Sequence, residues 1–108
     1  MSHRTSLVEF CHVTPRSNLP SIWRLGLQPS FARGAMRVVW VCAPSRRAWS
    51  TEHVTDQNGT DDVVVLRIRV PRSWVRRWRR GIWHCSQPIP AACIVSVSLP
   101  QTVAVSAA

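Results

Sequence analysis

A chain of 108 residues with 45% hydrophobic content suits one domain, large enough to bury roughly two-thirds of its unfolded surface but too small for a separate cofactor domain. Fourteen arginines, no lysine and five acidic residues give a net charge of +9, which favours polyanionic partners such as RNA, DNA or a phosphorylated small molecule. The use of arginine in place of lysine has a second explanation, which is codon bias in a GC-rich genome. No apolar run approaches the roughly 20 residues of a membrane span, and the N-terminus lacks the apolar core of a secretory signal, so we expect a cytoplasmic protein with no membrane partner.

The first half of the chain predicts alternating strands and helices. A strand over residues 7–13 precedes a short helix over 18–25, with Ser17 as its cap and Gly26 as its end. A second strand covers residues 38–42. The next helix runs from Pro44 to about Val54 with Ser45 as its cap, and the polar residues 55–60 form a turn.

The second half predicts mainly strands. Residues 63–70 are the clearest of them, because apolar side chains at 66, 68 and 70 alternate with Arg67 and Arg69. After Pro71 we expect a short helix that Gly81 ends, then strands over 82–85 and near 93–99. The tail 101–108 has no anchor, so we expect one domain over residues 1–100 followed by a flexible end.

The predicted third helix carries most of the positive charge. Seven of the fourteen arginines lie between positions 67 and 80, together with Trp74 and Trp78, which share a face on a helix because they are four residues apart. One interpretation is a core helix that two indoles anchor beneath a solvated charged face. The other is a surface that binds phosphates and stacks bases. Its nucleic-acid contacts would be Arg76, Arg77, Arg79 and Arg80.

The four cysteines show no C-x-x-C spacing, and each lies in or beside an apolar run. Buried free thiols are therefore the favoured interpretation, and we predict no metal site. The alternatives are disulfides or a zinc site, for which the ligands would be Cys11, His12, His84 and Cys85.

Polar groups gather where the first strand meets the first helix. The strand ends on the pair His12-x-Thr14, and Asn18 stands at the start of the helix. Such junctions are where α/β proteins usually keep their chemistry. A core histidine and a simple helix cap are the alternatives for His12 and Asn18.

These motifs, with the element order β-α-β-α-β-α-β-β, resemble the ADP-ribosyltransferase fold, especially its small bacterial branches related to the NAD-dependent RNA 2′-phosphotransferases and the DNA-modifying ADP-ribosyltransferase toxins. Those families begin with a strand carrying His-x-Thr, continue with Asn-Leu, Ile and Gly-Leu in a short helix, and follow with a strand such as residues 39–41 that leads into a helix. The match covers about residues 7–54. It implies a single α+β domain with a split β-sheet whose cleft holds NAD.

The resemblance also implies roles for individual residues. His12 and Thr14 would face the nicotinamide-side ribose, with Asn18 near the same pocket. His53 would act as an acid, a base or a phosphate contact, so His12 and His53 are the catalytic candidates. Cations for the pyrophosphate would come from arginines flanking the second strand, namely Arg33, Arg37, Arg46 and Arg47.

Two departures from the family pattern bear on the activity. Transferases of this fold usually carry a late glutamate that holds the ribose and activates the acceptor, yet no Asp or Glu follows Asp62 here. The RNA 2′-phosphotransferases act without that carboxylate, but their Arg-His pair is replaced by Cys11 and His12. We therefore expect an NAD-binding enzyme acting on a phosphorylated or nucleic-acid substrate, with a non-catalytic nucleotide- or RNA-binding module as the alternative.

Overall fold

The computed structural model describes residues 6–31 and 36–100, and within them the chain forms one antiparallel β-sheet with two α-helices. The strands are β1 (Leu7–Pro15), β2 (Val39–Cys42), β3 (Val63–Pro71), β4 (Val75–Arg79), β5 (Ile82–Cys85) and β6 (Ile94–Ser98), and the helices are α1 (Leu19–Leu25) and α2 (Arg47–Asn58). The strand order is β4-β5-β2-β1-β3-β6. The expected single α+β domain is confirmed at this level.

The alternating pattern of β3 is confirmed. Leu66, Ile68 and Val70 are completely buried, whereas Arg67 and Arg69 are exposed, and the first residues of the strand are buried on both faces of the sheet. The strand pairs with β1 and β6, and the two middle strands of the sheet are β2 and β1.

Each face of the sheet carries its own apolar cluster. On one face, Ile22 of α1 joins side chains such as Phe10, Leu66 and Val41. On the other face, Val54 of α2 covers a smaller cluster that contains Cys11 and its neighbours in the sheet. The two helices therefore lie on opposite faces, which matters for the cleft described below.

The predicted Arg/Trp helix is wrong. Residues 72–74 form a 3-10 turn, and β4 follows, pairing with β5 through a turn at Gly81, whose φ is 74°. Pairing with an apolar neighbouring strand overrides the helical spacing, because Val75 is buried opposite Cys85. The two tryptophans thus do not act together as core anchors. Trp74 packs against the core, but Trp78 is 47% exposed.

Smaller differences concern the helix ends. The helix α2 continues through the expected turn to Asn58 and stops at Gly59, whose φ is 67°. Neither Ser17 nor Ser45 caps a helix, because a 3-10 turn precedes each helix and contains that serine. Trp49, on α2, is 45% exposed. The expected flexible tail, residues 101–108, lies outside the described residues.

Candidate functional site

The sheet is weakly joined in its middle. β1 pairs with β3 over nine residue pairs, whereas β1 and β2 share a single registered pair, Cys11 with Cys42. Beyond that pair, the Nδ1 atom of His12 lies 2.6 Å from the carbonyl oxygen of Trp40. A side chain therefore bridges the two strands where no further residue pair is registered, which leaves a gap in the main-chain ladder toward the end of β1.

A cleft of about 860 Å³ opens at this gap. Its walls come from the end of β1, from α1 with the loop after it, from β2, from α2 and from the β4–β5 hairpin. Since α1 and α2 cover opposite faces of the sheet, the cleft reaches from one face toward the other through the gap. Its volume lies in the range typical of small-molecule and cofactor sites.

His12 is held as a neutral imidazole. Burial lowers its pKa, and the hydrogen bond with the Trp40 carbonyl, which raises the pKa, does not reverse that direction. A carbonyl oxygen can only accept, so Nδ1 carries the hydrogen and Nε2 carries the lone pair. Nε2 makes no hydrogen bond to any described residue. It is available to accept a hydrogen bond or a proton in the cleft.

Thr14 and Asn18 complete a polar corner with His12. The Asn18 side-chain amide donates to the Thr14 hydroxyl oxygen at 2.9 Å, and Thr14 itself is buried. His12 and Thr14 are two residues apart on β1, which puts both on the same face of the strand. All three residues line the cleft, and the Thr14 hydroxyl hydrogen and the Asn18 carbonyl oxygen remain able to contact a ligand.

Aromatic rings also line the cleft. On α2, Trp49 and His53 stack with their ring centroids 5.3 Å apart and their planes at 5°. Trp40 meets Trp78 edge to face, with centroids 5.2 Å apart. All four side chains line the cleft, so His53 faces it from α2 as an exposed ring. Exposed rings of this kind suit a flat heterocycle, which would stack on them.

The expected pyrophosphate cations that the structure describes do not line the cleft. Arg46 ends the 3-10 turn before α2 and Arg47 begins the helix, and both are exposed side chains outside the cleft lining. The stem of Arg46 lies against Gly81, and Arg47 donates to the Pro44 carbonyl at 3.1 Å. Arg37 donates to the Ser30 carbonyl at 3.1 Å and does not line the cleft either. Arg33 lies outside the described residues.

Sequence reasoning missed two members of the lining. Arg79, expected only as a nucleic-acid contact, is the one arginine among the described residues that lines the cleft, and no described carboxylate does. Trp40 was not singled out at all. Both reach the cleft through the pairing of β2, β5 and β4, for which no local sequence signal exists.

The other nucleic-acid candidates lie on a strand and its turn rather than on a helix. Arg76 and Arg77 are exposed on β4, and Arg80 is exposed at the turn before β5. An open cavity of about 560 Å³ along β4 is lined by Arg72, Ser73, Val75, Arg76, Arg77 and His84. The buried Nδ1 atom of His84 has no hydrogen-bond partner among the described residues.

The cysteines are free thiols, and no disulfide forms among them. Burial raises the pKa of Cys11, Cys42 and Cys85. In the part of the chain that the structure describes, no three His, Cys, Asp or Glu side chains come together as metal ligands would.

Comparison with known proteins adds no relative. No family model matches the chain, and no curated protein matches it. None of the helices described is long and apolar enough to cross a bilayer. The function therefore has to be argued from the cleft itself.

Proposed function

We propose that the cleft binds NAD or a related adenine dinucleotide and that the protein is an ADP-ribosyltransferase-like enzyme acting on a phosphorylated or nucleic-acid substrate. One observation carries the proposal. His12, Thr14 and Asn18, the residues that the resemblance assigns to the NAD site, form one polar corner at the gap between the sheet halves.

The lining matches the chemical parts of a dinucleotide. The hydroxyl of Thr14 and the amide of Asn18 can hold ribose hydroxyls, and the lone pair of His12 Nε2 can accept from one. The stacked rings of α2 offer a face to a base. Arg79 can bind a phosphate group of the pyrophosphate.

Cleavage of NAD breaks the bond between ribose C1′ and the nicotinamide nitrogen, and the bond's electron pair leaves with the nicotinamide. The ribose becomes oxocarbenium-like, so hydrogen bonds that fix the sugar favour that state. Burial lowers the pKa of His12 and so favours the neutral ring, which can accept a hydrogen bond or a proton at Nε2 without first losing one.

The chemistry of the lining favours a phosphate as the acceptor. A hydroxyl acceptor needs a base to remove its proton, and no carboxylate lines the cleft in the described ranges. A phosphate monoester already carries anionic oxygens at neutral pH, so it can attack C1′ without a base. This fits the strongly basic composition of the chain.

A second candidate function is a binding module that holds a nucleotide without turnover. The absence of a lining carboxylate among the described residues favours this binding module, because transferases of the fold that the chain resembles use a glutamate to hold the ribose and activate the acceptor.

Nicotinamide release from NAD separates the two candidates. We expect release in the presence of RNA carrying a terminal phosphate monoester and much less with the same RNA after dephosphorylation. His12→Ala and Asn18→Ala should reduce release, whereas Gln87→Ala, an exposed loop change outside the cleft lining, should not. NAD binding without release under any of these conditions would establish the binding module instead, and absence of NAD binding would refute the enzyme.

A further inference from the structure

The β4–β5 hairpin, together with the 3-10 turn before it, carries a second surface, which lies mostly outside the cleft and meets it at Trp78 and Arg79. We propose that this surface docks a single-stranded nucleic acid and leads it toward the cleft. The docking is independent of NAD; only the claim that the strand enters the cleft rests on the proposed function.

The first argument is uncompensated charge. Elsewhere in the molecule, Glu9 binds both Arg67 and Arg69, and Arg16 pairs with Asp62 at 2.8 Å. The hairpin segment carries five arginines, and no acidic residue follows Asp62 in the chain. None of these five forms an ion pair with a described carboxylate. A surface of this kind attracts phosphates and releases their counterions on binding.

The second argument is the placement of these arginines along an edge. β4 is the edge strand of the sheet, and its open cavity collects Arg72, Arg76 and Arg77 around His84. Arg76 stands directly opposite His84 in the pairing of β4 with β5. Arg72 is fixed in place because its guanidinium lies 4.4 Å from the centre of the Trp83 ring and donates to the Val75 carbonyl at 3.3 Å. The positive groups are thus spread along the edge of the sheet, and we call this edge, formed by Arg72, Arg76, Arg77 and His84, the track.

The third argument is an aromatic platform at the end of this track. A register shift between Arg77 and Arg79 places Trp78 at an irregularity of β4, where bulges typically re-aim a side chain. The indole is 47% exposed, and the Arg79 guanidinium lies 3.7 Å from its ring centre. An indole and a guanidinium plane are both surfaces on which unpaired bases stack.

The platform also connects the track to the cleft. Trp78 and Arg79 line the cleft, and Trp78 contacts Trp40, which in turn meets His84 of the track with ring centroids 5.4 Å apart. A strand lying on the arginines would therefore pass Trp78 at the mouth of the cleft. A single strand fits better than a duplex, because bases inside a duplex are already stacked and cannot use the indole.

Binding of labelled oligo(dT) and oligo(U), measured by fluorescence anisotropy over a salt series, tests the docking. Arg76→Gln/Arg77→Gln should weaken binding and flatten the log–log salt dependence by about 1.4 units, the value for two lost phosphate contacts on a single strand. Trp78→Ala should weaken binding about 5- to 150-fold, the range for loss of one stacked base. Trp78→Phe should retain most of the affinity because it keeps an aromatic face.

The matched control is Arg24→Gln/Arg37→Gln, which removes the same charge from exposed positions outside the hairpin and both cavities. It should change the affinity much less. Equal losses in the control and the hairpin variant would overturn the proposal, as would duplex DNA binding as tightly as single strands. Arginines on an edge strand can also serve to prevent edge-to-edge association, and variants that aggregate while keeping full oligonucleotide affinity would show that role instead.

The outcome is separable from the NAD proposal. The melting shift caused by NAD should be unchanged in Arg76→Gln/Arg77→Gln, because neither residue lines the cleft. Oligonucleotide binding by a protein that ignores NAD would support the docking surface and refute the enzyme, whereas NAD binding without oligonucleotide binding would do the reverse.

Discussion

Gly26 offers a direct test of how α1 is held beside the cleft. It ends the helix with φ 77° and ψ −173°. The next residue, Leu27, exchanges two main-chain hydrogen bonds with Ile89, at 2.8 Å and 2.9 Å. A Cβ atom at Gly26 would lie 2.5 Å from the Ile89 carbonyl oxygen and 3.2 Å from the Cα of Pro90. Gly26→Ala must therefore displace the bridge that fixes this wall of the cleft.

The magnitude follows from two separate costs. A backbone conformation that only glycine adopts readily costs about 1 to 3 kcal/mol with alanine, and each weakened main-chain hydrogen bond costs about 1 kcal/mol more. We expect Gly26→Ala to lower the free energy of unfolding by about 3 to 5 kcal/mol. Gly59 is the matched control, because its φ is 67° but nothing lies within 4 Å of an added Cβ. Gly59→Ala should cost only about 1 to 2 kcal/mol.

Thermal and urea unfolding of the two variants measure the difference. The two costs differ by about 1 to 4 kcal/mol, so with about 4 to 8 °C per kcal/mol for a domain near this size Gly26→Ala should melt at least about 4 °C below Gly59→Ala. Equal melting temperatures for the two variants would refute the reasoning, because the conformational cost alone would then account for both and the close approach to Ile89 would carry no energy.

Three further predictions concern the tryptophans, the imidazole and the thiols. Trp74→Ala should lower the free energy of unfolding by about 3 kcal/mol because it removes a side chain that packs against the core. Trp78→Ala should lower it by only about 1 kcal/mol because it loses mainly one edge-to-face contact. Equal losses for the two variants in urea unfolding would contradict this. Burial lowers the pKa of His12 below 6.5, so the imidazole takes up a proton in the unfolded chain before it does in the folded one as the pH falls. The free energy of unfolding should therefore be highest above pH 6.5 and decline below it, more steeply than in His12→Gln. Parallel pH profiles for the two proteins would count against a neutral imidazole. Burial raises the pKa of Cys11 and Cys42, so iodoacetamide at neutral pH should label them slowly until the protein unfolds, whereas rapid labelling of the native protein would contradict their burial.

The parts of the fold that sequence predicted well are those whose signal is local. The alternation of β3 is set by its own side chains, because one face is buried and the other is not. The Arg/Trp segment misled because its two tryptophans have helical spacing. Its strand conformation depends on Val75 finding Cys85 across the hairpin, a pairing that no local pattern in the segment encodes.

The candidate site divides in the same way. His12, Thr14 and Asn18 lie close in the chain at one strand–helix junction, so their neighbourhood could be predicted. Arg79 and Trp40 meet the cleft only through the sheet order. Arg46 was expected there because it follows β2, but the 3-10 turn that precedes α2 places it against Gly81 outside the cleft lining. Proximity in sequence therefore predicted which side chains meet at the junction of β1 and α1, but it did not predict on which side of the 3-10 turn before α2 an arginine lies.

Calorimetric titration of NAD into the native protein and into Asn18→Ala tests most directly whether the polar corner holds the dinucleotide. We expect saturable binding to the native protein and an affinity about 5- to 30-fold lower for Asn18→Ala, the value of one or two hydrogen bonds in the cleft. Gln87→Ala, in an exposed loop, should bind as the native protein does. Absence of binding at millimolar NAD, or equal affinity for the native protein and Asn18→Ala, would contradict the account.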